Sequence, residues 1–273
     1  PSRSTAVKCL DDIMILKDKT IIVTGVGPGM GVKLAREVAS AGGNVVLAAR
    51  SKDFIDQAAD EINSSGGSAM AQSTDVSDEA QCNRLADVAR ECFGRIDGLI
   101  NSAYRPGNLD RLEALDYDDL LQSIQVTVLG TLKMSRAVLP IMKKQGNGAI
   151  VNICSQVARK HLVGQGGYAM TKAAVSCLSR QMALEFAPYG IRVNTTHHGW
   201  MWGQPVEEFL TAQAEATGTP LSELRAGIAT AIPLGDVPED DVCARAAIML
   251  LSDYADAVNG ASLDVNGGEY MAL

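Results

Sequence analysis

Aromatic residues make up only 4% of the 273 positions, against 26 glycines, so little aromatic surface is available to fill an interior. That composition suits a parallel sheet packed with Val, Leu and Ala and closed by tight strand-to-helix turns. No run of 18 apolar residues occurs, so no membrane-crossing apolar helix is expected. No secretory leader pattern opens the chain, and the cytoplasm is the expected location. Basic clusters are absent and the formal charge is -8; such a field repels a phosphate polymer, so nucleic acid is not expected as a partner. The six cysteines (Cys9, Cys82, Cys92, Cys154, Cys177 and Cys243) form no C-x-x-C pair and are expected to be buried thiols in a reducing compartment. The three histidines, His161, His197 and His198, supply no ligand set, so no metal is expected. Neither an internal repeat nor a low-complexity linker divides the chain.

What is present is an ordinary globular balance, 47% hydrophobic and 21% charged, which speaks against wholesale disorder. Residues 1–15 are weakly patterned and are expected to form an N-terminal extension, partly foreign to the protein, with Met14 a natural initiator. Residues 16–273 are expected to form one domain. Within it, short apolar runs at Thr20–Thr24, Val45–Ala49, Ser68–Gln72, Ile96–Ile100, Ala149–Ile153, Ile191–Thr195 and Ser262–Val265 read as strands. Between them, apolar residues at helical spacing predict helices, including Val32–Ala41, a long one over Asp118–Lys144 and another over Gly167–Ala187. Strand and helix alternating throughout predict an α/β fold, a single Rossmann-type doubly wound parallel sheet with helices on both faces. Residues 197–236 break the rhythm with Trp200, Trp202, a helical Pro205–Ala216, Gly218 and Pro220. An insertion after a late strand overhangs the ligand cleft of such folds, so a substrate lid is expected there.

The first strand runs into Gly25-Val26-Gly27-Pro28-Gly29-Met30-Gly31 and then a helix. Glycines there let backbone N–H groups approach a pyrophosphate at a helix N-terminus. The second strand ends at Ala49-Arg50-Ser51-Lys52 instead of an acidic residue. A carboxylate there would accept from ribose hydroxyls, whereas positive charge suits a 2′-phosphate, so NADP is favoured over NAD. Tyr168 and Lys172, spaced i, i+4, share one helix face, and Ser155 ends a strand thirteen residues upstream. An ammonium beside a phenol favours the phenolate and eases proton transfer near neutral pH.

With these residues the chain resembles the short-chain dehydrogenase/reductase family from Leu16 to Met271. Thr24-Gly25-x-x-x-Gly29-x-Gly31 is similar to its cofactor turn, and Asp75-Val76 to the pair that meets adenine. Asn101-Ser102-Ala103-Tyr104 stands where the family usually has Asn-Asn-Ala-Gly. Ser155, Tyr168 and Lys172 match its active-site residues, and Ile191-Arg192-Val193-Asn194 and Asn266-Gly267-Gly268 its late motifs. The resemblance implies NAD(P)-dependent hydride transfer between a secondary alcohol and a ketone. Tyr168 would be the acid or base, Ser155 would orient the carbonyl, and Lys172 would hold the nicotinamide ribose and lower the tyrosine pKa. It also implies cofactor contacts at Gly25, Gly29, Met30, Gly31, Arg50, Ser51, Asp75, Val76, Asn101, Ala103, Tyr168, Lys172, Gly199 and Met201. Assembly as a homotetramer or homodimer is implied through the long helices Asp118–Lys144 and Gly167–Ala187.

The chain departs from the family at four places. Thr127 replaces the asparagine that holds a proton-relay water, His198-Gly199 replaces Pro-Gly, Gly203 replaces a cofactor-contacting threonine, and Tyr104 replaces a glycine. Tyr104, Trp200 and Trp202, with Met201, Leu162 and Val163 nearby, are expected to wall the substrate site and to favour a bulky or cyclic apolar small molecule. A catalytically drifted NAD(P)-binding sensor or scaffold, or a dehydratase or epimerase on the same fold, remain as alternatives.

Overall fold

The computed structural model describes residues 14–272. Seven strands form one parallel sheet: β1 (Thr20–Thr24), β2 (Asn44–Ala49), β3 (Ser68–Ser73), β4 (Gly98–Asn101), β5 (Gly148–Ser155), β6 (Ile191–His198) and β7 (Ser262–Val265). Their order is β3-β2-β1-β4-β5-β6-β7, with every pair parallel. The order reverses beside β1, between β1 and β4. A cleft opens there at the carboxyl ends of the strands, the position at which doubly wound sheets bind ligands.

Alternating residues within each strand feed two cores. On one face Ile21, Val23, Val45, Leu47 and Val151 pack against α1 (Met30–Ser40), α2 (Lys52–Ser64) and α9 (Asp240–Leu251). On the other, Ile22, Val46, Leu99, Ile150 and Val193 pack against α3 (Glu79–Phe93), α5 (Gly130–Gln145) and α6 (Gly166–Phe186). Burying each Leu, Ile or Val contributes about 1.5–3 kcal/mol, which is why central strands read as unbroken apolar runs. Asp78 starts α3 by accepting from the N–H groups of Ala80 and Gln81, and Gly94 ends it in a left-handed conformation.

The structure amends several expectations. The helix predicted over Asp118–Lys144 is three pieces: α4 (Tyr117–Ile124), a π-helical turn (Gln125–Leu129) and α5. β6 runs three residues past Thr195 and carries His197 and His198 into the interior. Cys82, Cys154 and Cys243 are buried as expected, but Cys92 and Cys177 are exposed. Cys92 lies in the last turn of α3, where Phe93 packs inward instead. Cys177 faces outward on α6, between inward-facing Val175, Ser176 and Ser179. Cys9 and nearly all of the expected 1–15 extension lie outside the described residues. Residues 204–229 carry α7 (Gln204–Thr217) and α8 (Leu221–Ala229). Among the described residues, no helix is long and apolar enough to cross a membrane, and no His/Cys/Asp/Glu group could hold a metal.

Candidate active site

The glycine turn is shaped by close backbone approach. Gly25 has φ +72°, and a Cβ there would stand 2.4 Å from the amide nitrogen of Ala103. A Cβ on Gly31 would stand 2.2 Å from the carbonyl oxygen of Gly25. Thr24 ties β1 to the loop after β4: its hydroxyl lies 3.3 Å from the Ser102 N–H it accepts from. A Cβ on Gly27, by contrast, would meet nothing, so the outer rim of the turn is open to a ligand at the start of α1.

Two cavities meet at this turn. One, about 340 Å³, is lined by Gly25, Gly29, Met30, Gly31, Tyr104, Ser155, Tyr168, Lys172, His198, Gly199, Met201 and Asp240, among others. The second, about 390 Å³, is lined by Gly25, Arg50, Ser51, Asp75, Val76, Ala103 and Tyr104, among others. Each falls in the size range of small-ligand sites. Together they make a two-part cleft with Tyr104 at the junction, a shape that suits a dinucleotide laid across β1. Residues expected from seven separate segments therefore meet at one place.

In the first cavity, β5 delivers Ser155 and the opening turns of α6 deliver Tyr168 and Lys172. Lys172 is buried, and its ammonium donates to the Ile153 carbonyl at 2.9 Å. The Tyr104 and Tyr168 ring centroids are 6.0 Å apart, and Lys172 Nζ lies 4.9 Å from the first and 5.9 Å from the second. Burial, reinforced by Tyr104, drives the Tyr168 phenol well above its usual range, opposed by the Ser155 hydroxyl. Burial also pushes the Lys172 ammonium down. The expectation that Lys172 lowers the Tyr168 pKa is thus not met in the free protein, because desolvation of the phenol dominates.

Three other site expectations are corrected. Asn101 is buried and points into the sheet, donating to Asn152 Oδ1 at 2.9 Å and Ser135 Oγ at 3.2 Å, instead of lining either cavity. Trp200 stacks on Phe209 of α7 with centroids 6.5 Å apart, and Trp202 lies under the Arg225 guanidinium of α8 at 4.2 Å. Both tryptophans pack the 197–236 segment onto itself and line neither cavity. Leu162 and Val163 are exposed. Apolar wall instead comes from Ile153, Met201, Pro205 and Val206. Thr127 accepts from the Arg105 N–H at 3.0 Å, so its hydroxyl secures the loop after β4.

Sequence reasoning did not single out Asp240 as a cavity residue, and it noted His198 only as a departure. Burial holds His197 at about 4 and His198 at about 3, helped by Arg159 and Lys172 respectively, so both rings are neutral at neutral pH. The His197 ring nitrogens lie 3.2 Å from the Ser155 carbonyl and 3.3 Å from Ser176 Oγ. Asp240 is distant in sequence from every motif. A signal for it existed only in the missing side chain at Gly203, since a Cβ there would stand 2.2 Å from Asp240 Oδ2.

A model of the short chain dehydrogenase family matches residues 19–212. The chain is 32% identical to the 7alpha-hydroxysteroid dehydrogenase of Escherichia coli (strain K12) over 262 residues, 96% of this chain and 98% of that one. Among solved structures, levodione reductase superposes with a TM-score of 0.85 at 28% identity, covering 93% of this chain and 98% of that one. A singly substituted actinorhodin polyketide ketoreductase with NADPH superposes with a TM-score of 0.85 at 25% identity, over 93% and 98% of the two chains. With the glycine turn, the two-part cleft and the parallel seven-stranded sheet, these likenesses establish that the chain belongs to the short-chain dehydrogenase/reductase family of NAD(P)-dependent oxidoreductases.

Proposed function

We propose that the protein interconverts a secondary alcohol and a ketone on a bulky or cyclic apolar small molecule, with NADP preferred over NAD. The observation that carries this reading is the convergence of Ser155, Tyr168 and Lys172 with the glycine turn on one cavity. Bound NADP(H) supplies or accepts the hydride. Gly25, Gly29, Met30, Gly31, Gly199 and Met201 would hold its central and nicotinamide parts. Ala103, Asp75 and Val76 would hold its adenosine end, with Arg50 and Ser51 at a 2′-phosphate. Open space at Gly27 and the exposed Arg50 beside the second cavity support that fit.

In the reducing direction Ser155 donates a hydrogen bond to the substrate carbonyl oxygen, and Tyr168 gives that oxygen its proton. In the oxidising direction Tyr168 must first lose its proton, and it takes the proton of the alcohol. Tyr168 carries its proton at neutral pH, as its acid role requires, and burial holds that proton more tightly. Lys172 would hold the ribose hydroxyls beside it. The apolar wall of Ile153, Met201, Pro205 and Val206, and a relative named for a hydroxysteroid, support an apolar substrate. Because Pro205 and Val206 open α7, residues 197–236 act as a lid within the single domain 16–273. Exposed Tyr117, Leu121, Met170 and Leu184 on α4 and α6 support assembly as a homodimer or homotetramer, and free thiols suit the cytoplasm.

The test is turnover at 340 nm on steroid, aromatic and alicyclic ketones with NADPH or NADH, against polar keto acids. Apolar ketones with NADPH are expected to be preferred, and Tyr168→Phe is expected to lower kcat by at least about 100-fold. Preference for keto acids, or for NADH, would reject the corresponding part. A Tyr168→Phe variant as active as the parent would favour the other enzyme classes of this fold. Binding of NADP without turnover of any ketone would favour a drifted sensor, the reading that the engaged Thr127 hydroxyl supports.

A further inference from the structure

Two residues that line the Ser155–Tyr168–Lys172 cavity each carry a buried polar atom that finds no partner among the described residues: Asp240 Oδ2 and His198 Nδ1. Asp240 opens α9, and its side chain is only 5% exposed. Its other oxygen lies 3.3 Å from Lys33 Nζ. Its backbone N–H donates to the Trp202 carbonyl at 2.9 Å, while the Trp202 N–H donates to Pro238 at 2.7 Å, so the start of α9 is clamped to the loop after β6. The glycine at 203 is what admits the carboxylate, since a Cβ there would stand 2.2 Å from Oδ2.

A buried carboxylate oxygen without a donor is costly, and it can only accept. It repels phosphate and requires an N–H or O–H from whatever fills the cavity. His198 complements it. Burial keeps the ring neutral, and Nε2 is 2.9 Å from Thr196 Oγ1. When that hydroxyl donates to Nε2, the proton of the neutral ring sits on Nδ1, which becomes a donor. An acceptor and a donor among the lining residues of one cavity match a primary carboxamide, which offers an amino group and a carbonyl. The other donors in the nicotinamide half of a dinucleotide are the ribose hydroxyls, which the proposed function places beside Lys172; the carboxamide alone offers a donor and an acceptor on one planar group.

We propose that Asp240, admitted by Gly203, and His198 anchor the nicotinamide carboxamide: Asp240 Oδ2 accepts from its amino group and His198 Nδ1 donates to its carbonyl. This rests on the reading that the nicotinamide half lies beside Ser155, Tyr168 and Lys172. The anchor fixes the rotation of the ring about its ribose bond and therefore which ring face meets the substrate. Asp240 and His198 are thus cofactor-positioning residues that the family threonine position no longer provides.

The test is equilibrium binding, by calorimetry, of NADP+ and of its 3-acetylpyridine analogue, in which a methyl group replaces the amino group. Wild-type protein is expected to favour NADP+ by about tenfold or more, the scale of one buried charge-assisted hydrogen bond. Asp240→Ala is expected to weaken NADP+ while sparing the analogue, so the preference collapses. Gly203→Ala keeps the carboxylate but displaces it, and is expected to give the same collapse should Asp240→Ala fail to fold. A preference that survives in the folded variants, or is absent from the wild type, overturns the anchor. If NADP+ binds without that preference and Tyr168→Phe abolishes turnover, the anchor alone fails. If the wild type binds neither dinucleotide, the proposed function fails with it.

Discussion

At the scale of single residues, the chemistry turns on how far burial outweighs charge. Tyr168 and Lys172 sit one helical turn apart, yet the phenol is raised, chiefly because it is desolvated and further by Tyr104, while the ammonium donates to the Ile153 carbonyl. A raised phenol pKa means the proton is present at neutral pH and leaves only in strong alkali. Reduction, which uses the protonated form, is therefore expected to hold level from about pH 6 to 8. Alcohol oxidation, which needs the deprotonated form, is expected to climb with pH by up to about tenfold per unit across the alkaline range. Profiles of kcat/KM in both directions check this, and an oxidation profile that is flat from neutral to alkaline pH would contradict it. The i, i+4 spacing was legible in the sequence; the dominance of desolvation was not, because it depends on what covers the ring.

At the scale of elements, local rules governed where helices and strands lie, and tertiary contacts governed their ends. Asp78 and Gly94 bracket α3 as capping rules require. Asp78→Ala is expected to cost about 1 kcal/mol of stability with no change in the cleft, measured by denaturant unfolding; a loss of about 3 kcal/mol or more would mean that Asp78 does more than cap. The π-helical turn at Gln125–Leu129 escaped the pattern because its apolar residues keep a helix-like rhythm while one extra residue is accommodated. β6 escaped at its end, since Thr196, His197 and His198 look like loop residues. They are strand residues because β5 and β7 hydrogen-bond to them on either side. The two tryptophans misled for a related reason: large aromatic residues after a late strand suit a substrate wall, but Phe209 and Arg225 offer them partners within residues 197–236.

At the scale of the whole molecule, exposed apolar residues remain on α4 and α6 after both cores are filled. Covering such a surface is a common reason for closed oligomers. Light scattering coupled to gel filtration is expected to give the mass of two or four chains. Charged substitutions at Leu121 and Leu184 together are expected to shift it towards one chain, and a wild-type monomer would refute the assembly.

The amino-acid order by itself determined the alternation of strand and helix, the glycine turn, the Ser155–Tyr168–Lys172 set and the family they point to, because each is written in local spacing. Only the tertiary structure decided that Asp240 and His198 line the same cavity, that Asn101 turns away from it, and that Trp200 and Trp202 pack within residues 197–236. These relations join residues far apart in the chain, or depend on which neighbour excludes water, and no periodicity along a sequence encodes them.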